Sequence, residues 1–243
     1  MSSAPVSRHR IPAGSGHDGP LPGGAGASRR GLARLLAGAV LAVCVLVLGA
    51  VAKLRPVAAL DLRVDEHIAA HDRTGALTAL AKAATAIAKP ETAGIGLMIA
   101  VPLILVLARR RADAVKVLCM FGGAFALTEI GKMLIGEQRP PASLQVMAAD
   151  ASPSYPSGHA VTAAVLAVAL TVIAAAAWRY AAIVLGGLYA VAVAGSRVYL
   201  GDHYPLDVTG GILCALAAGF AVTGLAALPA VQSRLRRLDA LYP

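Results

Sequence analysis

Charge is scarce in this sequence. Of its 243 residues only 14% are Asp, Glu, Lys or Arg, against about 25% in an average soluble protein. Apolar residues take their place: 58% of the chain is hydrophobic and the mean hydropathy is +0.70. A water-soluble domain of this length leaves roughly a quarter or more of its unfolded surface exposed after folding, and this chain has too little polar surface to cover that area. An ordinary soluble enzyme is excluded. So is disorder for most of the chain, because disorder needs low hydrophobicity. Aromatics are also few, at 4%; Ala, Leu, Val and Gly fill the apolar stretches, which suits close helix packing in a bilayer. The three cysteines, Cys44, Cys119 and Cys214, are odd in number and form no C-x-x-C pair. They read as small buried hydrophobes rather than a disulfide or redox framework. Acidic residues number 13 against 22 basic ones, for a formal charge of +9. In a soluble protein that excess would suggest nucleic acid. Here no nucleic-acid partner is inferred, and the excess reports membrane topology and attraction to anionic lipid head groups.

The apolar stretches predict an all-α membrane protein with six transmembrane helices. Residues 1–30, half of them Gly, Pro or Ser, read as a disordered cytoplasmic tail. The first span is 35–52, uncharged between Arg34 and Lys53, a length that crosses a bilayer once. Ala50-Val51-Ala52 is similar to a signal-peptidase site and Ser28-Arg29-Arg30 to a twin-arginine signal; the apolar region is long for a signal, so a retained span is preferred. Residues 53–92 mix charged and apolar positions at loose helical spacing and read as interfacial amphipathic helices. Within them His67 and His71 lie four apart, a spacing open to a metal pair but more simply a solvated helix face. The remaining spans are 93–108, 114–135, 160–177, 181–195 and 206 to about 228. The spans divide the chain into the tail 1–30, a six-span domain 31–230 and a basic cytoplasmic tail 231–243. An even number of spans puts both termini on one side. With that side cytoplasmic, the inner segments hold 13 of the 22 Lys and Arg residues, which satisfies the positive-inside rule. The loops 136–157 and 196–205 then face outside the cytoplasm.

Ionisable residues at membrane ends are costly and point to function. Three clusters fall on the outer side: Lys132 and Arg139; Pro156-Ser157-Gly158-His159; and Ser196, Arg197, His203 and Asp207. Arg139 offers a fork for two phosphate oxygens and Lys132 a point charge, although Lys132 alone also suits pairing with Glu129 at the interface. Ser157 and Gly158 stand at a helix start, where the dipole favours an anion, and Ser157 also suits a plain helix cap. Pro205 fits the first turn of the last span. His203 then sits at that helix's mouth with Asp207 one turn in, where a carboxylate holds one imidazole nitrogen and leaves the other nucleophilic. Together the clusters combine three cations, two helix starts, two histidines and one orienting carboxylate on one membrane face.

In this order and spacing, Lys132-x6-Arg139-Pro140, Pro156-Ser157-Gly158-His159 and Ser196-Arg197-x5-His203-x3-Asp207 resemble the three-part signature of the type 2 phosphatidic acid phosphatase (PAP2) superfamily. The motifs cover residues 132–207, and the six-span layout extends the resemblance to about 31–230. The resemblance implies His203 as nucleophile through a phosphohistidine, Asp207 orienting it, and His159 protonating the leaving oxygen. It implies Lys132, Arg139, Ser157, Gly158 and Arg197 as phosphate-binding residues, with no metal and no cofactor. The implied substrates are lipid phosphates or diphosphates: a polyprenyl diphosphate, phosphatidic acid or phosphatidylglycerol phosphate. The implied location is the plasma membrane, with the site facing outward. Vanadium haloperoxidases carry a similar signature but are soluble. A non-catalytic lipid-phosphate binder or flippase would need only the cations, and a metal enzyme would draw on Asp202, His203, Asp207 and His159. Loop 136–157 does not select among the lipid substrates, and the sequence specifies no oligomeric state.

Overall fold

A computed structural model describes residues 24–148 and 151–240. Nearly all of the expected N-terminal tail, residues 1–23, and the last three residues lie outside that range. Among the described residues there is no strand. The helices are α1 (Gly24–Ala52), α2 (Arg55–His67), α3 (Gly75–Ala86), α4 (Ile95–Leu107), α5 (Arg111–Ile135), α6 (Gly158–Ile173), α7 (Arg179–Tyr199), α8 (Pro205–Ala226) and α9 (Pro229–Ala240). The expected basic tail after residue 230 is therefore largely the helix α9, and α1 starts within the stretch read as tail.

Among the described residues, five stretches are long and apolar enough to cross a membrane: Ser28–Ala52, Gly75–Leu107, Arg111–Ile135, Ala176–Tyr199 and Pro205–Ala226. The expected fourth span, 160–177, is helical only to Ile173, because Ala174 turns to extended backbone. At 16 residues α6 falls below the roughly 17 that span a bilayer. The second stretch departs from expectation as well, since α3 is apolar enough to join α4 across the break at Lys89-Pro90.

α2 is built inside out. Its carboxylates Asp61 and Asp65 are buried, while Leu60 and Val64 are exposed. Such a helix turns its apolar side to the lipid boundary and its polar side to the protein.

α1 runs along α8, the most extensive helix pairing, and α6 packs between α7, α8 and α5. Small residues permit this approach: a Cβ on Gly38 would come within 2.9 Å of the Ala221 backbone nitrogen. The core between these helices holds Val117, Met120, Phe121, Tyr155, Val161, Val165 and Cys214. Large apolar side chains such as Leu36, Ile99, Leu134 and Leu185 point outward, as lipid-facing residues do. Cys44 and Cys119 are exposed with them, and only Cys214 is buried. The expectation of three buried thiols is thus corrected, because two sit on the outer stripe of their helices. At one end of the bundle Asp239 of α9 accepts a hydrogen bond from Ala112 N–H at the start of α5 (2.9 Å). At the other end the α5–α6 loop, the α7–α8 turn and α2 come together.

Candidate active site

The site grows from how two loops are tied to each other. α5 ends at Gly136, whose left-handed backbone (φ +58°) turns the chain just after Lys132. Loop 136–157 then crosses to the α7–α8 turn, where Val146 N–H donates to the Leu200 carbonyl (2.9 Å). Arg73 binds the carbonyls of Tyr199 (3.0 Å) and Leu144 (2.7 Å), clamping the loop and the turn together. Gly201 lies in that clamp at φ +72°, and a Cβ there would meet the Leu144 carbonyl oxygen at 2.2 Å. Tyr155, fully buried, donates its hydroxyl to the Val45 carbonyl on α1 (2.5 Å) and fastens the far end of the loop.

This framework brings His203 and Asp207 together as their spacing predicts. His203 Nδ1 lies 3.2 Å from Asp207 Oδ2, and both side chains are buried. The same Oδ2 accepts from Ser154 Oγ (2.5 Å) and from Tyr204 N–H (2.9 Å). Asp207 therefore caps the start of α8 while holding the ring. On the other side of the ring, Nε2 lies 3.2 Å from Arg139 Nη1. A guanidinium only donates, so Nε2 is the acceptor and the hydrogen resides on Nδ1, facing Asp207; the network assigns the tautomer. Burial lowers the His203 pKa to about 4; the hydrogen bond and charge of Asp207 oppose that, and the cations Arg139 and Arg197 reinforce it. At neutral pH the imidazole is uncharged, with its Nε2 lone pair available.

A cavity of about 480 Å³ is lined by His203 together with Arg139, whose guanidinium faces that nitrogen. Lys132, Arg139, Gly158, His159 and His203 line its polar end; Ile95, Met98, Gly122 and Phe125 line an apolar wall. Five of the eight expected site residues thus share one cavity, and the other three stand behind it. Asp207 backs His203. Ser157, fully buried, makes no cap with its side chain, and its Oγ has no hydrogen-bond partner among the described residues. Arg197 is buried and forms an ion pair with Asp202 (3.0 Å); it acts on both histidines through its charge. Lys132 pairs with Glu129 (3.3 Å), and both line the cavity. His67 and His71 are exposed and stack on each other, their centroids 4.7 Å apart.

Several contributors were not identified from sequence. Ser152 holds Arg139 through its carbonyl (3.0 Å) and hydroxyl (3.2 Å). Ser154 bridges to Asp207. Lys89 adds a cation near His159. Glu137, Asp61 and Asp65 bring buried carboxyls close to Asp207. The serines lie in a loop with no periodicity, and the carboxyls lie far from the motifs in sequence or outside their defined positions. Nothing in the sequence of α2, which also carries Arg55, Arg63 and Glu66, marks Asp61 and Asp65 as its buried pair.

Comparison with known proteins agrees with this geometry. The model of the PAP2 superfamily matches residues 113–228, a stretch that holds all three motifs, so the resemblance drawn from them is borne out there. An undecaprenyl-diphosphatase of Sulfolobus acidocaldarius is 35% identical over 116 residues, covering 46% of this chain and 54% of that protein. The chain thus matches about half the length of that curated relative. A transmembrane PAP2-type phosphatidylglycerolphosphate phosphatase from Bacillus subtilis has a similar fold, with a TM-score of 0.68 at 25% identity, covering 77% of this chain and 94% of that one.

Proposed function

We propose that this chain is a membrane lipid phosphatase whose PAP2 region, residues 113–228, hydrolyses a lipid phosphate or diphosphate through a phosphohistidine on His203. The observation that carries the reading is the divided imidazole: Nδ1 held by Asp207, Nε2 turned toward Arg139 and a cavity with a cationic end and an apolar wall. A phosphoryl group entering the cavity takes over the Arg139 N–H from Nε2 and frees the lone pair to attack phosphorus. The new N–P bond forms as the P–O bond to the lipid, or to the lipid monophosphate of a diphosphate, breaks. The incoming negative charge offsets the cations around His159 and lets it carry the proton that the leaving oxygen takes. His159 then accepts a proton from water as water displaces phosphate from His203. Phosphoryl transfer depends mostly on positioning and charge neutralisation, and Arg139, Lys132 and the α6 start supply both. No metal is needed in this scheme, and Asp202, a donor that a metal site would draw on, is paired with Arg197.

In this reading α6 makes a short sixth crossing beside the five longer stretches, and the basic residues clustered at the opposite end of the bundle support an outward-facing site. In that orientation the lipid keeps its tail along Ile95, Met98 and Phe125 while its head group enters. The names of the two relatives suggest two substrate classes, polyprenyl diphosphate and phosphatidylglycerol phosphate, and the family resemblance adds phosphatidic acid. A mere binder or flippase would gain nothing from the Ser154–Asp207–His203 network.

The test is phosphate release by the purified full chain in mixed micelles containing EDTA. Release from at least one of these lipids, abolished by His203→Ala, is expected. No release from any of them, or turnover that survives His203→Ala, would overturn the reading.

A further inference from the structure

Asp207 has two carboxyl oxygens, and the reaction above uses only one. Oδ2 receives Ser154 Oγ, Tyr204 N–H and His203 Nδ1. Oδ1 is buried and finds no hydrogen-bond partner among the described residues; the same holds for Oε2 of Glu137. The Glu137 carboxyl lies beside that of Asp207, close enough for the Asp207 charge to act on it. The backbone holds Glu137 there, because its carbonyl accepts Ser154 N–H (2.8 Å), and Ser154 is the residue whose hydroxyl binds Asp207. Ionised carboxylates only accept hydrogen bonds. Two of them side by side in a buried site cannot both stay charged, and a single shared proton satisfies both orphaned oxygens. Three donors already serve Asp207 Oδ2. Nothing comparable serves Glu137: Lys53, its neighbouring cation, donates to the Ile135 carbonyl (2.8 Å).

We propose that Glu137 is a positioning residue that stays protonated and donates a hydrogen bond to Asp207 Oδ1, so that its proton sets the charge behind the His203 nucleophile. This inference rests on the lipid phosphatase reading. Burial first, and then the Asp207 charge, push the Glu137 pKa up to about 8. The groups facing it come from every neighbouring element: Asp207 on α8, Asp61 on α2, Lys53 after α1, and Tyr155 and Tyr204 from the two loops. Losing the proton places a second negative charge beside Asp207. That charge repels the incoming phosphate and opposes the cations that bind it. Activity therefore declines as pH rises through the Glu137 titration.

Two measurements on the full chain in detergent test this. Infrared difference spectra at neutral pH, without substrate, should show a protonated-carboxyl band that Glu137→Gln removes. In the pH profile of kcat/KM, Glu137→Ala should lose roughly tenfold, the worth of one hydrogen bond to a charged group. Glu137→Gln, which keeps a donor, should recover most of that loss and lack the decline near pH 8. A band unchanged by Glu137→Gln, or a Gln profile that follows the wild type through that decline, would overturn the proposal. A wild type with no turnover on any lipid phosphate would instead count against the phosphatase reading, and the infrared result would still decide the state of Glu137.

Discussion

The proposed reaction needs one imidazole that is both anchored and reactive, and the two nitrogens of His203 face different chemistry. Asp207 and Ser154 hold Nδ1, and Arg139 alone faces Nε2. Its pKa of about 4 predicts that kcat/KM stays high as pH falls past the usual histidine value of about 6.5. The acid limb from this group should come only well below that. An acid limb centred near the usual value, and shifted by no change at Arg139 or Arg197, would contradict the assigned environment. Arg139 is positioned by both faces of Ser152 and by the Asp202 carbonyl, which only a planar fork satisfies. Arg139→Lys should therefore lower kcat/KM by roughly 10- to 100-fold, the worth of one or two charge-assisted hydrogen bonds. At this scale the sequence was informative wherever spacing encodes proximity. His203 and Asp207 lie one helical turn apart, so their contact follows from i, i+4 geometry. Ser152, Ser154 and Glu137 reach the same site by the path of a loop, which no periodicity encodes.

Among the elements, α2 is the least ordinary. A helix that buries Asp61 and Asp65 and exposes Leu60 needs those carboxyls neutral or partnered. Both oxygens of Asp65 lack a hydrogen-bond partner among the described residues, and burial followed by the charges of Asp61 and Asp207 raises its pKa to about 8. The unfolded chain ionises this group near the ordinary aspartate value of 3.8, so the folded form binds the extra proton. Its stabilising contribution is then complete below about pH 4 and is lost as pH rises through about 8. Asp65→Asn, neutral at every pH, should flatten that decline in thermal-unfolding midpoints measured in detergent. A pH dependence identical to the wild type would show that Asp65 is not the titrating group. The element scale also marks where sequence reading fell short. Hydrophobic runs locate the helices, but α6 ends early because Ala174 leaves the helical region. The apolar run of α3 reads as interfacial only while its neighbours are unknown.

At the scale of the whole molecule, the two ends of the bundle differ in purpose. One end joins α5 to α9 through Asp239 and carries Arg109, Arg110, Arg234, Arg236 and Arg237. The other gathers the loops that make the cavity. The apolar wall of that cavity belongs to α4 and α5, so it marks the tail path for a lipid substrate. A Cβ on Gly122 would meet nothing within 4 Å, so a larger residue fits there without strain. Gly122→Trp should lower kcat/KM for a long-tailed lipid phosphate far more than for a short-chain, water-soluble one. Equal losses on both would place the tail elsewhere.

The most direct measurement is a rapid alkaline quench of the full chain during turnover of a phosphorus-labelled lipid phosphate, followed by mapping of the label by mass spectrometry under alkaline conditions. Alkali-stable, acid-labile phosphate on His203, absent from His203→Ala and accumulating in His159→Ala if that variant slows dephosphorylation more than phosphorylation, is the predicted result. Steady release of phosphate with no label on the protein, or label on another residue, would contradict it.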